Sequence, residues 1–441
     1  MNIILLSGGS GKRLWPLSNN VRSKQFIKLF KACDGSYESM LQRIYRQILS
    51  VDKQSNILIS TSKEQISAIH NQLGEQVSVS AEPYRKDTFP AIALATAYMH
   101  EIQGISRQEI VAVCPIDPYV ENDYFYSLKN MTQEQMAKYD INITLMGIEP
   151  TYPSEDYGYI IPESKDYISN VSLFREKPDV NTAKEYISKG ALWNCGVFAY
   201  KLDYILQKSK ELLGSSDYQE LYEAYDTLPK ISFDYAVVEK ERKIQVMRFS
   251  GKWKDLGSWN TLTETMGDPI FGDGMIDKES RNVSIVNELD VPILTMGVDN
   301  IVVSASPDGI LVTSKERCND IKTYVEKLNN EPKFAEKSWG YFKVIEGCKN
   351  SLTIKIFIRE GHAMNYHSHE HRDEVWIVTQ GVGKTIIDGI EQKVKMGNVV
   401  AMQARCRHTI FAVTDLEMIE VQIGSDISVY DKQKYILDNK F

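Results

Sequence analysis

The sequence predicts an α/β protein: a doubly wound, mainly parallel sheet, then a short β-rich linker, then a C-terminal β-barrel. Three changes of texture predict it. From Met1 to roughly Trp259, short apolar runs (NIILLS, SNILIST, EIVAVCPID, INITLMGI) alternate with helical patterns. Strands alternating with helices build a largely parallel sheet covered on both faces. From Asn282 to Thr313 the pattern becomes strand-like and repetitive, with Asp-Asn and Pro-Asp-Gly turns, as in a few rungs of a solenoid. A helical stretch follows (CNDIKTYVEKLNN). From about Lys333 onward nearly everything is short strand and turn (YFKVIE, LTIKIFIRE, EVWIVTQG, GKTIIDG, NVVAMQ, LEMIEVQIG), the spacing of a small barrel or jelly roll. The predicted domains are residues 1–265, 266–330 and 331–441.

Bulk properties agree and exclude several classes. A chain of 441 residues exceeds one ordinary core. Its 43% hydrophobic and 25% charged residues are those of a globular protein. A net charge of −8 argues against a general nucleic-acid binder, which needs a basic face. The six cysteines show no CxxC spacing, so neither a zinc ribbon nor a redox pair is expected. No apolar run approaches the ~18 residues of a membrane span, and the first residues show no charged n-region with a following apolar h-region. A cytoplasmic enzyme with reduced thiols is the expectation. Self-association through linker or barrel is compatible with the sequence, which has no stripe that demonstrates it.

The first strand empties into Gly8-Gly9-Ser10-Gly11-Lys12-Arg13. Glycines there let the backbone turn sharply and leave N–H groups free to face phosphate oxygens. A Walker A loop would need Gly at position 6 and Ser or Thr after the lysine, where Leu6 and Arg13 stand. A dinucleotide fingerprint from Gly9 would need Gly at position 14, which is Leu14. Glycines alone would suit a plain turn, but the nearby cations Arg13 and Lys24 favour a phosphate ligand. Two aspartates follow: Asp117 just past an apolar strand, where sheets of this kind bind ligands, and Asp255 on a polar turn. A lone Asp in either place is ordinarily a cap or turn former.

Together, GGSGKRLWPLS and the later KQF resemble the opening of sugar-nucleotide pyrophosphorylases, and in this form of mannose-1-phosphate guanylyltransferases. The resemblance implies a Rossmann-like nucleotide-diphospho-sugar transferase fold. It implies that Gly8 to Gly11 and Lys12 cradle the nucleotide, Arg13 grips the β and γ phosphates and Lys24 balances charge at the α-phosphate. Asp117 and Asp255 match the family's aspartates for Mg²⁺, in P-x-D and W-x-D-x-G-S. EPYRKDTFPAIALA aligns to the family's EPxGRNTAPAIALA at the base, with Lys86 and Asp87 changed from arginine and asparagine. A carboxylate at Asp87 could accept from both guanine donors, or serve as a helix N-cap. SEDYGYI, REKP and LWNCGVFAY resemble the sugar-binding segments, implying Gly158, Glu176, Lys177, Asn194 and Gly196 at the sugar phosphate, and FDYAVVEK matches a further segment. The implied partners are GTP and a sugar 1-phosphate.

Five of the seven histidines lie in the last 80 residues. Gly361 to Gly381 fits G-x5-H-x-H-x4-E-x6-G, which resembles the first cupin motif. Alternating residues share a strand face, so His367 and His369 converge, with Glu374 and a later His408 beside them. That set suits a divalent transition metal, zinc or similar. A zinc-protease HExxH is excluded, because Asp373 stands where its second histidine would be. The segment resembles the phosphomannose-isomerase-like cupin often fused to this transferase, with His367 at the family's glutamine. In the second cupin motif Gln403, Arg405 and Thr409 replace proline, glycine and arginine, which speaks against isomerase activity. Two alternatives stay open: transfer to another sugar phosphate or from another base, and a metal-cupin protein that only senses a sugar nucleotide.

Overall fold

The computed structural model describes residues 1–9, 12–19, 21–32, 34–137, 140–328, 332–425, 427 and 431–436. They divide into two units, Met1–Gly9 with Gln25–Gly267, and Ser10–Lys24 with Asp268–Phe441. The linker and the barrel thus fall in one unit, together with the segment that follows the first glycines.

The first unit is built on nine strands: β1 (Asn2–Leu6), β2 (Asn56–Ser62), β3 (Ser78–Glu82), β4 (Ile110–Pro115), β5 (Ile143–Ile148), β6 (Gly158–Pro162), β7 (Ile168–Arg175), β8 (Leu192–Lys201) and β9 (Ile244–Phe249). Their order is β3-β2-β1-β4-β8-β5-β9-β7-β6. β1 to β4 pair in parallel, as the apolar runs predict. Ile3, Ile4 and Leu5 are wholly buried, which is why the run is continuous rather than alternating. The sheet as a whole is mixed, because β8 runs antiparallel between β4 and β5 and β7 is antiparallel to both its neighbours. The helix Thr88–Glu101 is buried nearly all round, which its sequence TFPAIALATAYM reflects. A short ribbon outside the sheet pairs Pro118–Val120 with Trp253–Asp255.

In the second unit, Ile270–Phe271, Ser284–Asn287 and Ile301–Ser306 stack in parallel, and Gly274–Ile276 stacks on Ile293–Thr295. These are solenoid rungs. Val283, Ile285 and Val303 fill their interior, and Asn282 and Asn300, both at positive φ, bond side chain to side chain at 2.7 Å at the corner. The helical stretch beyond them begins as a 3₁₀ turn, Lys315–Asp320, and runs as α-helix only over Ile321–Val325. The barrel consists of a six-stranded and a five-stranded antiparallel sheet. Trp376, Ile356, Ile410 and Met418 close its core. No helix among the described residues is long and apolar enough to cross a membrane.

Candidate active site

In the first unit, β1 to β4 end together: Leu6 lies opposite Ser60 and Pro115, and Ser62 opposite Glu82. A cavity of about 280 Å³ opens at these carboxyl ends, lined by Gly8, Gly9, Glu82, Arg85, Asp87 and Asp117 among others. Gly9 sits at φ +106°, a conformation that strains any other residue. Ser10, Gly11 and the Lys12 side chain lie outside the described residues. Arg13 is exposed on a 3₁₀ turn, and Lys24 opens another.

The ribbon explains how the two aspartates relate. Asp255 is in register with Pro118, the residue after Asp117, so antiparallel pairing brings the backbone of both aspartates to the end of β4. Gly257 leaves the space beside Asp255, since a Cβ there would come within 3.0 Å of Oδ2. Two hard oxygen donors of this kind fit a Mg²⁺-sized cation completed by phosphate oxygens and water.

Asp87 is at φ +75° and caps the helix Thr88–Glu101, its Oδ1 accepting from the Thr88 N–H at 2.8 Å. It therefore lines the cavity while serving the helix. Lys86 turns away and donates to the Asp226 carbonyl. Sequence reasoning passed over Glu82, which is buried at the end of β3 and accepts from the Tyr225 hydroxyl at 2.7 Å. Burial pushes its carboxyl up to about 7. The Glu-Pro that opens the EPYRKDTF segment was the available signal.

A second polar cluster forms where β6, β7 and β8 meet. Gly158 pairs with Asn194. Glu176 is buried just beyond β7, and Lys177 Nζ holds its Oε1 at 2.7 Å. Glu176 Oε2 is buried with no hydrogen-bond partner and faces Gly158, whose missing Cβ would collide with it. Asn194 spans the cluster: its Oδ1 accepts from Gly196 N–H at 3.1 Å and its Nδ2 donates to Asp234 Oδ1 at 2.7 Å. Gly196 takes φ +73° where β8 shifts register, which frees that N–H. Asp234 is raised to about 7 by burial and by the Glu176 charge. It belongs to the cluster although only the FDYAVVEK likeness hinted at it.

In the barrel, His367, His369 and His408 present ring nitrogens within 4.8 Å of one another, all buried. His367 and His408 place Nδ1 on the carbonyls of Asn365 and Cys406 at 2.6 and 3.0 Å, and His369 on that of Asp431. A carbonyl accepts only, so each Nδ1 carries the hydrogen and each Nε2 lone pair turns inward. Glu374 lies 3.0 Å from His369 Nε2 and 3.3 Å from His408 Nε2. Three lone pairs and a carboxylate around one point attract a cation. Arg372 supplies part of that charge, its Nε donating to Glu374 Oε1 at 3.2 Å and its Nη2 lying 3.2 Å from His369 Nε2. Arg405 holds φ +74°, where the related motif has glycine, and two contacts to Glu370 Oε1 at 2.8 and 2.6 Å hold its side chain.

These features define a nucleotide-handling α/β transferase fused to a barrel that carries a buried histidine cluster. Residues 2–268 match the nucleotidyl transferase family, and the chain belongs to that family. Residues 326–435 match the mannose-6-phosphate isomerase C-terminal family. A mannose-1-phosphate guanylyltransferase of Salmonella muenchen is 30% identical over 97% of this chain and 96% of its own. The alginate biosynthesis protein AlgA of Pseudomonas putida is 27% identical over 98% and 95%. A crystal structure from Thermus thermophilus, described as a mannose-1-phosphate geranyltransferase, has a TM-score of 0.61 and 27% identity, covering 74% of this chain and 98% of that one.

Proposed function

We propose that the chain transfers a guanylyl group from GTP to mannose 1-phosphate and releases pyrophosphate. The observation that carries the reaction class is the cavity that Gly8, Gly9 and Asp117 share at the end of β4, with Asp255 in register beside Pro118. The sugar and the base come from the relatives' names. In this reading the glycine turn cradles the triphosphate, Arg13 and Lys24 offset its charge, and Glu82 and Asp87 supply acceptors for the guanine donors. Glu176 Oε2 and Asn194 receive sugar hydroxyls, and Lys177 faces the sugar phosphate. Mg²⁺ held by Asp117 and Asp255 supplies charge neutralisation as two anions approach; the residues named orient the sugar phosphate for in-line attack on the α-phosphorus.

Pyrophosphate release from a panel of nucleoside triphosphates against a panel of sugar 1-phosphates tests this. GTP with mannose 1-phosphate is expected to give the highest kcat/KM, and silence across the panel with Mg²⁺ present would sink the reading. A sharper test uses Gly158→Ala, whose methyl group displaces Glu176 Oε2. The KM for the sugar phosphate is expected to rise about tenfold or more, the KM for the nucleotide staying close to wild type. For the barrel we propose a bound divalent transition metal, zinc or similar, on His367, His369, His408 and Glu374.

A further inference from the structure

The segment that bears Arg13 and Lys24 is gripped by the linker of its own unit. Asn19 makes the turn: its Oδ1 accepts from the Val21 and Arg22 N–H groups at 2.8 and 2.6 Å, and its Nδ2 donates to Asp308 Oδ2 at 2.5 Å. Arg22 forms a two-pronged pair with Glu288 at 2.6 and 2.9 Å, the side chains only 14% and 17% exposed. Ser306 Oγ donates to the Pro16 carbonyl at 2.7 Å. Gly309 leaves the space that the Trp15 indole fills, since a Cβ there would lie 2.5 Å from the ring. Two of these groups also hold the start of the barrel. Asp308 Oδ1 accepts from the Lys333 N–H at 2.6 Å, and the Phe334 ring lies 5.1 Å from the Arg22 guanidinium.

An ion pair this buried adds little net stability over apolar packing of the same volume, but a two-pronged one admits a single geometry. Misplacing a catalytic group by about 1 Å can cost a hundredfold in rate. We propose that Glu288 and Asp308 are positioning residues for nucleotidyl transfer. They fix the described residues from Arg13 to Lys24 in one conformation, and Lys333 and Phe334 tie the barrel to that same setting. This rests on the transferase reading above.

Full-length Glu288→Ala, Asp308→Ala and the milder Ser306→Ala test it, with each substrate varied separately and backbone hydrogen exchange followed over residues 12–24. In all three the nucleotide KM is expected to rise, by about tenfold or more in the first two, with the sugar-phosphate KM within about twofold of wild type. Exchange over 12–24 should quicken while the rest of the chain keeps its protection, and Glu288→Asp should recover most of the nucleotide affinity. Unchanged nucleotide KM and exchange would overturn the proposal. So would a parallel loss of both affinities and of protection throughout the chain, the mark of a merely structural role. Wild-type protein inert toward every nucleotide would instead defeat the transferase reading, and the exchange data would still decide whether the linker holds the loop.

Discussion

Asp117→Ala is expected to lower kcat by about a thousandfold or more while far-UV circular dichroism and melting temperature stay near wild type. The carboxylate sits just beyond β4, and its removal leaves the buried run Ile110–Cys114 and the pairing of β1 with β4 untouched. In the proposed reaction the substitution removes charge at the point where two anions must be brought together. Asp255→Ala should act alike, because the ribbon sets it beside Pro118. If both carboxylates serve one cation, the double variant should be little worse than either single one, since residues acting as a unit are not additive. Effects that multiply would mean two separate roles, and a fully active Asp117→Ala would mean the metal site lies elsewhere. Steady-state pyrophosphate release with Mg²⁺ titrated separately is the measurement.

The chemistry near the chain's glycine turn was legible because it is local. A buried strand emptying into Gly8-Gly9, and an aspartate directly after another such strand, are patterns of consecutive residues that the parallel sheet brings to one edge. That Asp255 lies beside the residue after Asp117 was legible only through family resemblance, since 138 positions separate the two aspartates and the ribbon is three residues wide on each side. Glu82 escaped notice because nothing in its neighbourhood announces burial; Tyr225, its partner, lies 143 residues on. Asp234 escaped for the same reason, acquiring its character from Asn194 and Glu176. The grip on residues 12–24 was invisible, as Asn19 and Asp308 are 289 positions apart and both read as ordinary turn formers. The antiparallel β8 was missed because a strand buried on both faces has the same composition whichever way it runs. The histidines of the barrel were readable, since spacing alone puts His367 and His369 on one face. Their tautomers were not, being set by carbonyls that only the fold supplies.

Those tautomers lead to the second large effect. The purified chain, equilibrated with a divalent transition metal and desalted, is expected to retain about one equivalent. His367→Ala, His369→Ala and His408→Ala should each reduce it to near zero. The reason is that each ring has spent its Nδ1 hydrogen on a backbone carbonyl, so nothing but a cation or an added proton can face the three Nε2 lone pairs and Glu374 together. Burial, the Lys432 charge and the neighbouring rings push His367 down to about 2, which leaves a lone pair and no proton at ordinary pH. A metal bound at a hundred times its Kd stabilises the folded chain by about 2.7 kcal/mol, so chelation should lower the melting transition of the wild type and leave that of His369→Ala unmoved. Nucleotidyl transfer should persist in the chelated protein once Mg²⁺ is restored, because its carboxylates are a different donor set. Mass-spectrometric metal content is the readout. Retention of a full equivalent by all three histidine variants would mean that the metal lies elsewhere, and a wild type that retains none would mean that Arg372, already 3.2 Å from both Glu374 and His369, supplies the cation the cluster requires.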